Sequence, residues 1–393
     1  MNGDAHVAVR SYSEDRRLFV VGLASFGVFG GLWGVWAVLL VDLSRSLDLS
    51  TGPLGLALSG GVVASIPAMI VGGWAADRLG HRALLATSGS LMALSFAGLA
   101  LASGYGSLLA ILLLYSATSG IYDVATNAFA MDLEQTTGRR VLAPCHAAFS
   151  GGGAVGALIA GVLISAGVDY RYVYVGTLLP VALVILAVMY SRFPQAASGP
   201  EDEGAAGARL YRNLSLILVA GIAALAFFSE GTMEDWSGVY LRQTLALPAF
   251  LGASGVAVYH ASMAAGRLGA TWPIKRFGNS RTLLGAGLLV AGGMVFALAT
   301  REPLLVILGF LVVGLALSAT TPIAFSIAGD VAPERVGGAS SVVATLGYSG
   351  FLVGPTIVGG IAEFSSLRIS FLTIVLAGLL ITAGGRAARK RDP

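Results

Sequence analysis

The chain has 393 residues, of which 56% are hydrophobic and only 11% are charged. A soluble globular domain carries roughly 25% charged residues, so this chain has too few charges to cover a surface in water. Its 54 glycines suit close helix packing in lipid. The basic residues behind the net charge of +3 lie in short segments between apolar runs, which is typical of charges that set membrane orientation and favours that role over nucleic-acid binding.

The chain has a single cysteine, Cys145, which excludes an intrachain disulfide and a cysteine-based metal cluster. The first 17 residues are polar. The apolar run that follows them is too long for the core of a cleaved signal peptide. We therefore expect an uncleaved membrane protein that needs no metal and no cofactor.

Twelve apolar runs are long enough to cross a membrane as helices. Crossing about 30 Å of hydrocarbon takes about 20 helical residues, and backbone groups must find their partners within the segment. The expected fold class is therefore an all-α membrane protein. The predicted spans, numbered 1 to 12, are residues 18–41, 54–76, 83–102, 107–131, 142–167, 172–191, 213–240, 249–273, 282–300, 303–328, 338–362 and 368–386.

The longest polar interruption divides the twelve predicted spans six and six. It covers residues 192–212, and its two prolines and acidic triplet indicate a flexible linker. The predicted domains are a tail at 1–17, a six-helix bundle at 18–191, the linker at 192–212, a second six-helix bundle at 213–386 and a tail at 387–393.

The basic residues predict the orientation of the chain. An even number of spans puts both termini on one side of the membrane. With the termini in the cytoplasm, 18 of the 24 Lys and Arg residues lie in cytoplasmic segments and five lie outside, while Arg267 falls inside a span. This asymmetry predicts that both termini are cytoplasmic.

The two predicted bundles repeat at an interval of 198 residues. A shift of that length places Arg78 on Arg276, Gly80 on Gly278, Asp132 on Asp330, Gly152 on Gly350 and Gly156 on Gly354. The last two pairs form Gly-x-x-x-Gly patterns in spans 5 and 11. A parallel repeat of this kind predicts a binding site near the middle of the membrane, between the bundles.

The loop after span 2 carries a recognisable motif. From Gly73 to Arg82 it reads Gly-Trp-Ala-Ala-Asp-Arg-Leu-Gly-His-Arg, and a degenerate copy runs from Lys275 to Arg281. The loop resembles the Gly-x-x-x-Asp-Arg-x-Gly-x-Arg signature of the major facilitator superfamily, at the place where that family carries it. With the twelve spans and the repeat, the resemblance covers nearly the whole chain and implies a transporter that works by alternating access.

The same loop predicts a gate at the cytoplasmic mouth. Asp77 and the arginines can form charge pairs there, with Asp132 as a partner for Arg78 or Arg82 and Asp330 as a partner for Arg276. The alternative is a basic loop that only sets the orientation. The predicted gating residues are Asp77, Arg78, Arg82, Asp132, Arg276 and Asp330.

Three further stretches, 123–127, 146–152 and 230–237, resemble bacterial permeases of the fucose-permease-like branch, whose substrates are mostly unassigned. Drug/proton antiporters of the superfamily usually carry an arginine in helix 4 and a Gly-Pro motif in helix 5. Span 4 has no arginine here, and the Gly-Pro pattern lies in span 11, at Gly354 and Pro355. The resemblance therefore favours transport of a polar solute, such as a sugar, and leaves proton-driven efflux of drugs or metabolites as the alternative.

Asp123 is the main candidate for proton coupling. An ionisable side chain at bilayer depth costs about 2.5–3.5 kcal/mol by insertion scales, which makes each one a functional candidate. Asp123 shares a stripe of helical spacing with Ser116, Ser119 and Asn127 in span 4, and we expect this stripe to face the central cavity. The alternative is a structural role, as the partner of a packed hydroxyl or of Arg267.

Span 7 carries a second group of charges. Its apolar run at 214–228 has 15 residues and is too short to cross the membrane, so Glu230 and Glu234 are expected within it. The Glu-Gly-Thr sequence at 230–232 predicts a break in the helix, facing a cavity. We expect Asp235 and Trp236 nearer the outer surface. The alternative is that an external loop begins in this segment.

Histidines and tryptophans complete the candidates. His260 lies near the middle of span 8, His146 opens span 5, and either could instead be a packing residue. Trp33 and Trp36 could stack on a flat ligand face or belong to the core. The predicted proton-coupling residues are Asp123, Glu230 and His260. The predicted substrate-binding residues are Trp33, Trp36, Asn127, His146, Glu230 and Trp236.

The sequence lacks the common signatures of ATP-driven or hydrolytic chemistry. It has no Gly-x-x-x-x-Gly-Lys-Ser/Thr loop, no Gly-x-Ser-x-Gly elbow and no His-Glu-x-x-His helix. An intramembrane enzyme and a nontransporting receptor or scaffold are the rival classes. We predict a monomeric, proton-coupled transporter of a small polar organic solute in a bacterial cytoplasmic membrane. Its partners are the solute, the proton and the lipid bilayer, without nucleic acid.

Overall fold

The computed structural model describes residues 12–191, 193 and 210–389. Every regular element in these ranges is a helix, and eleven of the helices there are long and apolar enough to cross a membrane. Each helix carries the number of the predicted span that it matches. They are α1 (Tyr12–Ser46), α2 (Thr51–Ala76), α3 (Arg78–Leu101), α4 (Tyr105–Thr137), α5 (Leu142–Ser165), α6 (Tyr170–Met189), α7 (Leu214–Thr244), α8 (Ala249–Gly269), α9 (Thr271–Leu298), α10 (Pro303–Val331), α11 (Gly337–Phe364) and α12 (Leu367–Arg386).

The ends of the predicted domains differ from the structure or lie outside it. The first helix begins at Tyr12 and ends at Ser46, so residues 12–17 of the predicted tail are helical. Most of the predicted linker, together with residues 1–11 and 390–393, lies outside the described residues.

The helix α8 is not one of the eleven apolar helices. It has 21 residues, which at about 1.5 Å per residue is enough to cross the hydrocarbon. Its glycines and serines, with His260 and Arg267, reduce its hydropathy. The predicted count of twelve spans therefore depends on whether this more polar helix crosses the membrane.

Two glycines break the helices at matching positions of the repeat. Gly80 has φ 74° and ψ 157°, and Gly278 has φ 78° and ψ 167°. A residue with a Cβ atom is strained in this region of backbone space, whereas glycine adopts it freely. The chain therefore turns at Gly80 and Gly278 with the same backbone conformation, and the 198-residue repeat holds for the backbone at this position.

Glycines also set the closest helix contacts. A Cβ atom on Gly152 would lie 1.9 Å from the carbonyl oxygen of Gly27, so α5 packs directly on the backbone of α1. At the repeat position, a Cβ atom on Gly350 would lie 2.1 Å from the carbonyl oxygen of Ala224, so α11 packs on α7 in the same way. Small residues allow this approach without a clash.

The charged segment of α7 is continuous and buried. The α-helix runs from Leu214 to Val239, and a π-helical turn follows at Tyr240–Thr244. The predicted break at 230–232 is therefore wrong, because the helix continues through the Glu-Gly-Thr sequence. Every residue from 228 to 242 is buried, so Asp235 and Trp236 belong to the interior and the external loop does not begin here.

Several helix pairs join the amino-terminal half of the chain, residues 12–191, to the carboxy-terminal half, residues 210–389. The most extensive contacts are those of α5 with α8, α2 with α11, and α1 with α7. The charged residues of α7 and α8 therefore lie against helices of the opposite half.

Candidate functional site

Arg267 of α8 is bonded to both halves. Its Nη2 atom lies 2.8 Å from Oε1 of Glu230 on α7, in an ion pair. Its Nη1 atom donates to Oγ of Ser150 at 2.5 Å and to the backbone carbonyl oxygen of His146 at 3.2 Å, and both of these residues are on α5. A guanidinium has five N–H donors in a planar fork, so it can hold all three partners at once. The charge of Glu230 is therefore coupled to the contact between α5 and α8.

The Arg267–Glu230 pair is largely removed from water. The side chain of Arg267 is 17% exposed and that of Glu230 is 11% exposed. Removing one partner of a buried pair leaves an uncompensated charge, which is strongly destabilising. A change in the charge of Glu230 would thus change how firmly Arg267 holds the opposite half.

Asp123 of α4 is also held from both halves. Its Oδ1 atom accepts a hydrogen bond of 2.9 Å from Nδ2 of Asn127, one turn along the same helix. Its Oδ2 atom accepts one of 2.8 Å from the hydroxyl group of Tyr348 on α11. The carboxylate has hydroxyl and amide partners and no ion pair among the described residues. Arg267, the alternative partner from the sequence, is bonded to Glu230 instead.

Two contacts between the halves start from repeat-related positions. Tyr348 was not singled out from the sequence, but the shift of 198 residues places Ser150 on Tyr348. Ser150 bonds to Arg267 in the carboxy-terminal half, and Tyr348 bonds to Asp123 in the amino-terminal half. The repeat was therefore the signal that could have identified Tyr348.

The predicted tryptophans lie between α1, α4 and α7. Nε1 of Trp36 donates to Oδ1 of Asp235 at 2.9 Å, which joins α1 to α7. Trp36 and Trp236 are both buried. Trp33 is half-buried, with its ring centroid 6.3 Å from that of Tyr115. In this conformation Trp36 and Trp236 serve helix packing, and Trp33 is the more accessible of the three.

The two predicted histidines lie beside the contact of α5 with α8. His260 is buried, and a Cβ atom on Gly153 would lie 2.6 Å from its Nδ1 atom. Its Nε2 atom has no hydrogen-bond partner among the described residues. His146 is half-buried and meets Phe26 edge-on, with ring centroids 5.2 Å apart. Only the backbone oxygen of His146 takes part in the Arg267 cluster.

A bidentate ion pair joins α1 to the end of α7. Nη1 and Nη2 of Arg242 lie 2.5 and 2.9 Å from Oδ2 and Oδ1 of Asp42. Nη1 also donates to the carbonyl oxygen of Val38 at 3.2 Å. Paired N–H···O bonds to a carboxylate are among the stronger polar contacts in proteins.

A second contact joins α2 and α11 at the same end of the molecule. Oε2 of Glu363 accepts hydrogen bonds from the backbone N–H of Gly52 at 2.8 Å and from the hydroxyl group of Thr51 at 3.1 Å. These groups lie in the first turn of α2, where a negative charge is favoured by unpaired N–H groups and by the helix dipole. We call the Asp42–Arg242 pair and the Glu363 contact the outer latch. The sequence analysis did not single out these residues.

The predicted gate residues do not join the halves in this conformation. Oδ2 of Asp132 lies 2.6 Å from Nε2 of His81, in the same half. This contact corrects the expected pairing of Asp132 with Arg78 or Arg82. Arg78 instead lies over the ring of Trp74, 3.9 Å from its centroid. His81, the residue immediately before Arg82, thus takes the place predicted for an arginine.

The second predicted gate pair is also apart. Arg276 and Asp330 are both exposed, and no ion pair joins them in the described part of the chain. The side chain of Asp77 lies outside the description. Within the described ranges, the polar contacts between the halves lie at the outer latch and in the middle, and none lies at the end that carries Gly80 and Gly278.

This arrangement defines a class of protein: a multi-pass membrane protein whose two halves meet around buried charges, as in membrane transporters. The sequence model described as Major Facilitator Superfamily matches residues 21–355 and 262–393. An uncharacterized MFS-type transporter of Yersinia pestis is 30% identical over 368 residues, which cover 93% of this chain and 94% of that protein. The chain belongs to the Major Facilitator Superfamily, and it is a membrane transporter of this type and not an enzyme.

Two solved structures share the fold at low sequence identity. One is a bacterial homolog of the human lysosomal transporter Spinster in an inward-facing and occupied conformation, with a TM-score of 0.79, 14% identity and 98% of each chain covered. The other is a D-xylose-proton symporter, with a TM-score of 0.73, 15% identity and coverage of 94% of this chain and 97% of that one.

Proposed function

We propose that this chain is a proton-coupled secondary transporter that moves a small polar organic solute by alternating access. The Arg267 cluster is the observation that supports this most. One guanidinium binds Glu230 in its own half and two groups of α5 in the other. A solute or proton that alters Glu230 would therefore also alter the contact between the halves, which is what coupling requires.

The uneven distribution of contacts supports alternating access. The outer latch and the Trp36–Asp235 bond hold one end of the interface together. The opposite end has no described polar contact of this kind. An inward-facing state of a transporter would have such an arrangement. Transport would then require the outer latch to open while the predicted gate at Asp77, Arg78, Arg82, Asp132, Arg276 and Asp330 closes.

The proposed topology has twelve spans, with α8 as the eighth. Its charged side chain, Arg267, binds Glu230 and Ser150, so the helix presents less polarity to lipid than its composition suggests. Six spans in each half then give two bundles at 18–191 and 213–386 with cytoplasmic termini. The proposed location is the bacterial inner membrane, with the protein acting as a monomer.

Asp123 is the proposed coupling residue, and the space around Asn127, Glu230 and Trp33 is the proposed solute site. Asp123 is half-buried and bonded to a helix of the other half. A carboxyl group in that position can exchange a proton when the halves part and water reaches it. A sugar or related hydroxylated metabolite suits the amide and carboxylate groups present, and the D-xylose-proton symporter shares this fold.

The function can be examined with purified protein in liposomes that contain a pH-sensitive dye. Polar solutes would be added outside, one at a time. Symport predicts acidification of the lumen together with uptake of one solute class, because the proton enters with the solute. Antiport predicts alkalinisation of the lumen as the external solute enters, because a proton leaves in exchange. Proton movement that does not depend on any solute, or solute flux that ignores an imposed pH gradient, would contradict proton coupling.

A further inference from the structure

Three aromatic rings form a cluster between α7 and α11. The ring of Phe227 on α7 stacks on that of Phe351 on α11, with the centroids 5.0 Å apart and an angle of 26° between the planes. The ring of Tyr348 is tilted against both, with its centroid 5.3 Å from that of Phe227 and 5.8 Å from that of Phe351. We call Phe227, Tyr348 and Phe351 the aromatic cluster.

Glycines of the same two helices hold the phenyl rings in place. A Cβ atom on Gly231 of α7 would lie 2.7 Å from Cδ1 of Phe351, and one on Gly347 of α11 would lie 3.1 Å from Cε2 of Phe227. Each phenyl ring therefore packs closely against the backbone of the facing helix, as small residues allow. Groups that are already held in position lose little freedom when a ligand binds, which favours binding.

The hydroxyl group of Tyr348 joins the aromatic cluster to the opposite half. It donates to Oδ2 of Asp123 on α4 at 2.8 Å, although α4 is not one of the helices that make the most extensive contacts between the halves. The three rings of the cluster, Asp123 and Asn127 are all half-buried, so helix packing does not seal them off. Since Tyr348 contacts both the phenyl rings and Asp123, the rings and the carboxylate lie on one surface between the halves.

This surface combines aromatic rings with unused acceptor capacity. A carboxylate has about four acceptor positions, and the two described side-chain hydrogen bonds of Asp123, from Asn127 and Tyr348, use two of them. Pairs of aromatic rings contribute more than the apolar area that they bury. A polar solute without such a ring would bond to the carboxylate and leave the phenyl rings without an aromatic partner.

We propose that the aromatic cluster and Asp123 bind a hydroxylated solute that carries an aromatic ring. The ring of the solute would pack on Phe227 and Phe351, and a hydroxyl group of the solute would donate to Asp123. This rests on the proposed transport function and narrows its substrate class. A solute hydroxyl that replaces Tyr348 on Asp123 would also release the bond between α4 and α11, so binding would free the halves to move.

The proposal can be tested by thermal shift of the purified full-length protein with three matched glucosides. The probes are phenyl, cyclohexyl and methyl β-D-glucopyranoside, which share the sugar and differ in the group attached to it. Affinities follow from the dependence of the melting temperature on ligand concentration, since a bound ligand stabilises the fold by mass action. We expect the phenyl glucoside to bind about three- to tenfold more tightly than the cyclohexyl glucoside, and the methyl glucoside to bind most weakly.

Two variants test where the ring binds. Phe227→Leu and Phe351→Leu each remove a ring and keep an apolar side chain, and each should abolish the preference for phenyl over cyclohexyl. Because the two probes are compared in the same variant, a change in the stability of that variant cancels. Phe296→Leu is the matched control, since Phe296 is an exposed phenylalanine of α9 outside the cluster, and it should keep the preference.

The outcomes separate this assignment from the transporter proposal. Equal affinity for the phenyl and cyclohexyl glucosides, tighter binding of the methyl glucoside, or no binding of any of the three would overturn the aromatic class of solute. A phenyl preference that persists in both Phe227→Leu and Phe351→Leu would overturn the placement of the ring. Proton-coupled flux of another solute in the liposome assay would leave transport standing in each case, whereas absence of flux for every solute would count against the transport function itself.

Discussion

Opening of the outer latch can be measured after a single substitution, Asp42→Asn. The Arg242 and Asp42 side chains are 8% and 20% exposed, which places the pair between a surface ion pair worth up to about 1 kcal/mol and a buried pair whose disruption costs about 3–5 kcal/mol. Hydrogen bonds to charged groups contribute about 1.5–3 kcal/mol. Since about 1.4 kcal/mol corresponds to a factor of ten, we expect the population open at the outer latch to rise about 10- to 100-fold.

The assay is the rate of thiol labelling at an introduced cysteine. Ser44→Cys serves as the reporter, because Ser44 is 2% exposed and lies on α1 close to Asp42, and Cys145→Ala removes the native thiol. Asp169→Asn is the matched control, since Asp169 pairs with Arg171 at 3.7 Å within one half and both side chains are about half exposed. Faster labelling with Asp42→Asn and not with Asp169→Asn is expected. Equal labelling rates in the parent and Asp42→Asn would refute the latch.

Two further substitutions probe the packing and the central cluster. Glu230→Gln should lower the melting temperature of the purified protein because it leaves Arg267 buried without its ion-pair partner. Adding Arg267→Met to the same chain should restore part of that loss. A double variant that is less stable than either single variant would contradict the pairing. Gly152→Ala should destabilise the fold by about 1–3 kcal/mol, because its Cβ atom would meet the backbone of Gly27 at 1.9 Å. The control is Gly151→Ala, where a Cβ atom meets nothing within 4 Å, and it should leave the melting temperature nearly unchanged. If Gly151→Ala and Gly152→Ala lowered the melting temperature equally, close contact between α5 and α1 would not be the cause of the destabilisation.

Hydropathy was sufficient to locate most of the helices, because lipid requires long apolar segments. It failed where polar residues lie inside a helix that is covered by protein. The segment at 230–232 was predicted as a break, yet the helix is continuous there because neighbouring helices bury the charges. The helix α8 shows the same effect, since its His260 and Arg267 face protein partners while lowering its hydropathy.

The polar contacts of the site depend on the tertiary packing and could not be read from spacing along one helix. Arg267 and Ser150 are separated by 117 residues, and Tyr348 and Asp123 by 225. The same limit explains why His81, rather than an arginine, was found beside Asp132. The 198-residue repeat is the exception, since it relates Ser150 to Tyr348 and Gly80 to Gly278 before any contact is known.

The central claim, that a proton on Asp123 drives uphill movement of the solute, is tested most directly with Asp123→Asn in liposomes. The variant should lose solute accumulation driven by an imposed pH gradient, because the amide cannot take up or release a proton. It should keep exchange of labelled for unlabelled solute without a gradient, since Asn can still pair with Asn127 and Tyr348 and the halves can still move. Loss of both activities would indicate a structural role for Asp123, and accumulation at the rate of the unmodified protein would contradict its role in coupling.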